Sequence, residues 1–287
     1  MSLPTRRGLP EGGRAACSWE GGRPDRAGPC HRGAGKGIGL AIAETPAAAG
    51  ATVVAGSHGT TPEPDALVDK GHVSRVPVDR AEPDAAGRLV EAAGGPIDIL
   101  IDNVGTAPAR TGGFLSVTDE EWRRTVDLNL LGAVRVTRAV LPSMPAAERG
   151  SVVTIGSVDA TLPDPSSSTT ARVRPPWWRS PRRSPRRCRR RSESKEAGPK
   201  GVRVNTVSPG PVETELWLGG GGVVASVSAA AGTTPEDVVA QASGATVTGR
   251  FSKPPEVADL VVLLAGDRAS NITGSDFVID GGLIPTW

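Results

Sequence analysis

At 287 residues, 38% of them hydrophobic, the chain is long enough to bury the core of an α/β domain, and its length suits one domain or two, one being simpler. No apolar run approaches the roughly 18 to 20 residues that cross a bilayer, and no apolar stretch follows Arg6, Arg7 and Arg14, so no membrane partner and a cytoplasmic location are expected. The net charge of +2 is unevenly spread: positions 172 to 191 hold ten Arg and no acid, and removing those ten leaves −8, an ordinary enzyme surface that excludes a broad nucleic-acid face outside the tract.

In chain order, residues 1–32 are atypical. They carry Pro, Gly and Arg where a buried strand should stand, and Arg26-Ala27-Gly28-Pro29-Cys30 makes a poor central strand, so the segment is expected to be disordered or frame-altered. Next comes Gly33-Ala34-Gly35-Lys36-Gly37-Ile38-Gly39, followed by the helix-compatible Leu40-Ala41-Ile42-Ala43-Glu44. Glycines at 33, 37 and 39 let a backbone turn under a pyrophosphate and aim N–H groups from a helix N-terminus; the competing reading is a plain flexible loop. Pro46 lies inside that helix and costs about 3 kcal/mol if the helix runs through it.

Short β-branched runs then alternate with helical stretches, as a parallel sheet built of βαβ units requires. Strands are predicted at Ala51 to Ala55, Val73 to Val78, Ile97 to Ile101 and Ser151 to Ile155. A helix from Asp119 to Leu141 places Trp122, Val126, Leu130, Val134 and Val140 in the core. Further on, a strand at Val202 to Val207, a helix at Pro255 to Leu264 and a strand at Phe277 to Ile279 complete the pattern, while Gly219 to Gly244 reads as a lid or an inert loop. About 165–192 the order breaks again. Cys17, Cys30 and Cys188 all lie in the two irregular segments, have neither metal-ligand spacing nor an even count, and suggest no metal site.

Four more motifs follow the glycine loop in order: Asp102-Asn103-Val104-Gly105 after a strand, Asn129 within Leu128-Asn129-Leu130-Leu131-Gly132, Ser157 ending Thr154-Ile155-Gly156-Ser157, and Pro209-Gly210-Pro211-Val212-Glu213-Thr214. Together they resemble the short-chain dehydrogenase/reductase family, as do Ile272-Thr273-Gly274 and Asp280-Gly281-Gly282 near the end, over residues 33 to 164 and 194 to 287. The resemblance implies a single Rossmann-type doubly wound parallel sheet with helices on both faces at 33–287, and an NAD(P)-dependent oxidoreductase acting on a small carbonyl or secondary alcohol. It puts Gly33, Gly37, Ile38 and Gly39 on the pyrophosphate and Asp79 at the adenine. Asn103 and Gly105 fall on the adenosine side, with Asp102 in place of the usual Asn, and Pro209, Gly210, Val212 and Thr214 around the nicotinamide. It also implies a homo-oligomer, a tetramer or dimer. Ser57 stands where NAD enzymes carry an acid on the ribose, so NADP is preferred over NAD, and His58 either touches the 2′-phosphate or has no role.

Ser157 and Asn129 match two of the family's catalytic positions. The family's proton donor is a Tyr four residues before a Lys, which with the oxidised nicotinamide pulls the phenol below its ordinary pKa of about 10. This chain has no Tyr at all. The position falls near Thr169 or Thr170, at the head of Ala171-Arg172-Val173-Arg174-Pro175-Pro176-Trp177-Trp178, where two prolines cannot continue a helix. One base earlier, the codon spanning Thr169 and Thr170 must be nAC, which includes Tyr, and the one spanning Val173 and Arg174 can be AAG, Lys. The next shifted codons spell two small residues, then Leu, Val or Met, then a forced Val, an apolar helix after Tyr-x-x-x-Lys. Residues from about Pro165 to Ser192 therefore read as an out-of-frame stretch, and the same shift over Cys30-His31-Arg32 permits Ala-Thr-Gly. Two other readings remain: a dinucleotide sensor without turnover, and a scaffold whose Arg179-Ser180-Pro181-Arg182-Arg183 region lies along nucleic-acid phosphates. The second is the lesser reading, because GC-rich DNA in the wrong frame also yields Arg tracts.

Overall fold

The computed structural model describes residues 30–32, 34–48, 50–57, 73–79, 82–103, 105, 111–144, 150–162 and 194–284. Its strands are β1 (Cys30–Arg32), β2 (Val53–Ser57), β3 (Val73–Pro77), β4 (Ile99–Asp102), β5 (Gly150–Ile155), β6 (Val202–Pro209) and β7 (Asp276–Ile279). They form one sheet in the order β3-β2-β1-β4-β5-β6-β7, parallel at every pairing. The helices are α1 (Gly37–Ala48), α2 (Ala85–Ala93), α3 (Asp119–Val126), α4 (Gly132–Val140), α5 (Glu215–Leu218), α6 (Val223–Ala231), α7 (Pro235–Gly244) and α8 (Pro254–Ala265).

Successive side chains of a strand point to opposite faces, and in β2, β4, β5 and β6 both faces are buried, which is why these strands read as apolar runs rather than alternations, while the edge strands β3 and β7 are partly exposed. Leu100, Val152 and Val204 join Leu89 of α2 and Val136 and Val140 of α4 on one side. Ile99, Ile101, Val153 and Val207 join Ile42 of α1 and Val257, Val261 and Leu264 of α8 on the other. This is the doubly wound, helix-on-both-faces arrangement expected from the sequence.

Four elements depart from that expectation. Cys30–Arg32 is a central strand despite its composition, paired with β2 on one edge and β4 on the other, because the ladder is built from backbone groups. Positions 1–29 lie outside the described residues. Helix α1 runs through Pro46, which sits in its last turn and so removes one hydrogen bond close to where the ladder ends anyway. Gly219 to Gly244, expected as a lid or an inert loop, is mostly helical, carrying α6 and α7, and the signal was present: Thr234 caps α7 in a reciprocal box with Asp237. Finally, the long helix is interrupted by a π-turn at Asp127–Leu131, between α3 and α4. The extra residue of a π-turn rotates the downstream side chains by about one position, or about 100°. Leu130, expected in the core, is 39% exposed, while Asn129 is buried at 6%.

Candidate active site

In a parallel sheet every strand ends at the same edge, so residues just past β2, β3, β4, β5 and β6 collect along one rim. The order in which strands are added reverses at β1, whose neighbours β2 and β4 are reached by connections on opposite faces, and that switch point opens a crevice at the rim between β1 and β4. The glycine loop runs from β1 to α1 beside it. Gly37 opens α1 with φ 56°, in the left-handed region, and a Cβ there would stand 3.1 Å from Thr214 Cγ2. A Cβ on Gly35 would stand equally close, 3.1 Å, to Ser57 Cβ. The left-handed backbone favours glycine at 37, and at both positions a side chain would need its neighbour to give by a few tenths of an ångström. The first N–H groups of α1 have no intrahelical partner and carry the positive end of the helix dipole, so the cradle fits a pyrophosphate. Ile38 is half-buried beneath it and Gly39 buried.

Around the rim, Ser57 is buried at the end of β2 and Asp79 is exposed just past β3, its carbonyl accepting from Glu82 N–H. Asn103 is half-buried past β4, and Gly105 is exposed. Gly33, His58 and the Thr169–Thr170 position lie outside the described residues. Pro209 ends β6, and Gly210 N–H donates to Ile279 O while its absent side chain leaves room for Asp280, whose Cβ a Gly210 Cβ would meet at 2.8 Å. Val212 is buried against the core below, and Thr214 Oγ1 donates back to Val212 O, shaping the turn into α5.

Ser157 follows β5 in extended conformation and starts the 3₁₀ turn Val158–Ala160. Its Oγ accepts the Asp159 N–H at 3.2 Å, which leaves the hydroxyl proton to be donated elsewhere. Asn129 reaches the interior through the π-turn. Two features went unread in the sequence. One is the Asp159 amide on Ser157. The other is an ion pair across the cradle, Lys36 Nζ to Glu215 Oε2 at 2.8 Å, which holds the Glu215 carboxyl below its ordinary range. Lys36 lay in plain view within the glycine loop; its partner lies far along the chain.

Two family matches divide the chain: short chain dehydrogenase over residues 31–169 and enoyl-(acyl carrier protein) reductase over 188–284. Oxidoreductase UcpA of Escherichia coli is 32% identical over 262 residues, covering 87% of this chain and 91% of the relative. The 3-oxoacyl-[acyl-carrier-protein] reductase FabG of Escherichia coli is 29% identical over 255 residues, covering 88% and 94%. Among solved structures, L-sorbose reductase from Gluconobacter frateurii, complexed with NADPH and L-sorbose, superposes with a TM-score of 0.79 at 25% identity, covering 91% of this chain and 98% of that one.

Proposed function

The chain belongs to the short-chain dehydrogenase/reductase family and is by that membership a nicotinamide-dependent oxidoreductase, and from this premise we propose how it holds its cofactor and where its chemistry fails. Backbone groups of Gly33, Gly37, Ile38 and Gly39 hold the pyrophosphate; Asp79 meets the adenine, and Asn103 and Gly105 shape the adenosine side. Ser57, at the end of β2, stands where an acid would meet the ribose of NAD, and His58 follows it in sequence, so no carboxylate is supplied there, which favours NADP over NAD; that L-sorbose reductase was solved with NADPH supports the choice. Pro209, Gly210, Val212 and Thr214 frame the nicotinamide, which when bound supplies or accepts a hydride. The glycine cradle at the switch point is the observation that carries this reading.

Ser157, its oxygen already engaged by the Asp159 amide, donates its proton to the oxygen of a small carbonyl or alcohol substrate, and Asn129 supports the proton path. The relatives' names, a 3-oxoacyl reductase and a sorbose reductase, support a carbonyl substrate. The acid–base pair is missing, because the chain contains no Tyr. Residues from about 165 to 192 are an out-of-frame stretch; the family matches leave 170–187 uncovered, a gap inside that tract, which supports an interruption there. Exposed Leu130 and Leu131, side by side on the surface, support a homo-oligomer, which light scattering on the purified protein would settle.

The test is a fluorescence titration with NADPH and NADH, followed by a carbonyl-reduction assay. Saturable binding, tighter for NADPH, is expected, with turnover far below the roughly 1 to 1000 per second of ordinary enzymes. Failure of both nucleotides to bind would overturn the cofactor reading. Ordinary turnover would overturn the loss of chemistry and require another proton donor.

A further inference from the structure

Lys36 is the one charged residue between Gly33 and Gly39. It stands between Gly35, where an added Cβ would meet Ser57 at the end of β2, and Gly37, where one would meet Thr214, so its backbone is placed where phosphates of a dinucleotide would lie. Its ammonium nevertheless turns outward and crosses to Glu215, at a separation of 179 positions, with both side chains largely in solvent at 62% and 72% exposure. A pair this wet is held weakly, since water screens both charges and two mobile side chains must be immobilised. A phosphate group offers Lys36 more charge and more acceptor oxygens than one carboxylate does. On the proposed cofactor reading, on which this rests, the two anions compete for one cation.

We infer that Glu215 tunes cofactor affinity by keeping Lys36 occupied: the ammonium pairs with Glu215 in the free protein and moves to a cofactor phosphate on binding. Glu215 thus sets cofactor affinity without touching the cofactor. Breaking the Lys36–Glu215 pair is part of the work of binding, so removing the carboxylate strengthens binding and removing the ammonium weakens it. A simple field effect of the Glu215 charge on an anionic cofactor would also strengthen binding in Glu215→Gln, but it would do so whether or not Lys36 is present.

The experiment is a double-mutant cycle on the full chain, with dissociation constants for NADPH and NADH measured by nucleotide fluorescence in the wild type, Glu215→Gln, Lys36→Gln and the double variant. Circular dichroism checks that each is folded; both side chains are exposed, Glu215→Gln preserves shape, and Lys36→Gln shortens a side chain that is largely in solvent. We expect Glu215→Gln to bind NADPH about fivefold more tightly, Lys36→Gln to bind more weakly, and the double variant to match Lys36→Gln. An effect on NADPH alone assigns Lys36 to the 2′-phosphate; equal effects on both nucleotides assign it to the pyrophosphate. Unchanged binding in Glu215→Gln overturns the inference, as does a gain that persists without Lys36. A wild type that binds neither nucleotide overturns the cofactor reading and this inference with it, whereas a wild type that binds while the cycle stays flat overturns this inference alone.

Discussion

Replacing Gly37 with Ala tests the cradle from the side of stability. The residue has φ 56°, and an L side chain in the left-handed region costs about 1 kcal/mol. The added carbon would also stand 3.1 Å from Thr214 Cγ2, tighter than ordinary contact, and pushing the turn at 211–214 aside adds about 1 kcal/mol more. The sum of about 2 kcal/mol lowers the melting temperature by about 5 °C in a chain of this size. The two contributions are separable: Thr214→Ser deletes the methyl carbon while keeping the hydroxyl that donates to Val212 O, so Gly37→Ala in that background should lose only about half as much. Gly87→Ala, in α2 with nothing within 4 Å of the new carbon, should raise stability by about 0.5 to 1 kcal/mol, because there only chain entropy changes. Thermal and urea unfolding of the four variants supply the numbers. If Gly37→Ala melts with the wild type, the left-handed turn is not required; if Thr214→Ser recovers nothing, Thr214 does not close over the glycine turn.

Leu89 is fully buried in the cluster beneath β2 and β4, so Leu89→Ala should cost about 3 kcal/mol, read as a lower urea midpoint with an unchanged slope; a loss under about 1 kcal/mol would mean the face is loosely packed. Arg203, its charged form disfavoured by burial, donates to the carbonyls of Leu264, Ala265 and Gly266 at the end of α8; Leu264 O keeps the Ser151 hydroxyl and Gly266 O the Ala269 N–H, so Arg203→Met should cost about 1 kcal/mol, chiefly at Ala265 O, with hydrogen exchange rising first in the last turn of α8. Hydrogen bonds from Arg250 and from the Lys253 amide hold the Glu256 carboxyl at about 2, below its ordinary 4.5. A depressed folded pKa gives stability that is complete above about pH 4.5 and is lost as pH falls toward about 2, so Glu256→Gln should flatten the acid side of the stability curve between those limits, and added salt should shrink the difference. An unchanged curve would show that the Arg250–Glu256 pair contributes nothing measurable. Sequencing the coding DNA checks the interrupted tract: a codon for residue 169 that does not end in T, or the absence of two compensating frame changes around 165–192, refutes the frame reading.

Most strands were legible to within two or three residues, because being buried on both faces writes a short apolar run into the chain. Ile99–Asp102 and Val202–Pro209 differ from their predicted spans only at the ends, where a ladder stops according to its neighbour's length rather than its own side chains. The glycine loop, Ser157 and the Pro209-to-Thr214 segment were legible for another reason: each is a local backbone device, a turn or a strand end, that particular residue types permit. What the sequence by itself determined is therefore local, namely which runs are apolar, where the backbone can turn, and that no phenol is present to move a proton. The tertiary structure alone decided the rest. The π-turn turned Leu130 out and Asn129 in, a choice that helical periodicity cannot encode because it assumes the very regularity the extra residue breaks. Cys30–Arg32 became a central strand because its neighbours on both edges supply hydrogen bonds that its composition does not announce. Lys36 met Glu215 because the parallel sheet brings the ends of β1 and β6 to one rim, and no local pattern marks two exposed charges that only the fold makes neighbours.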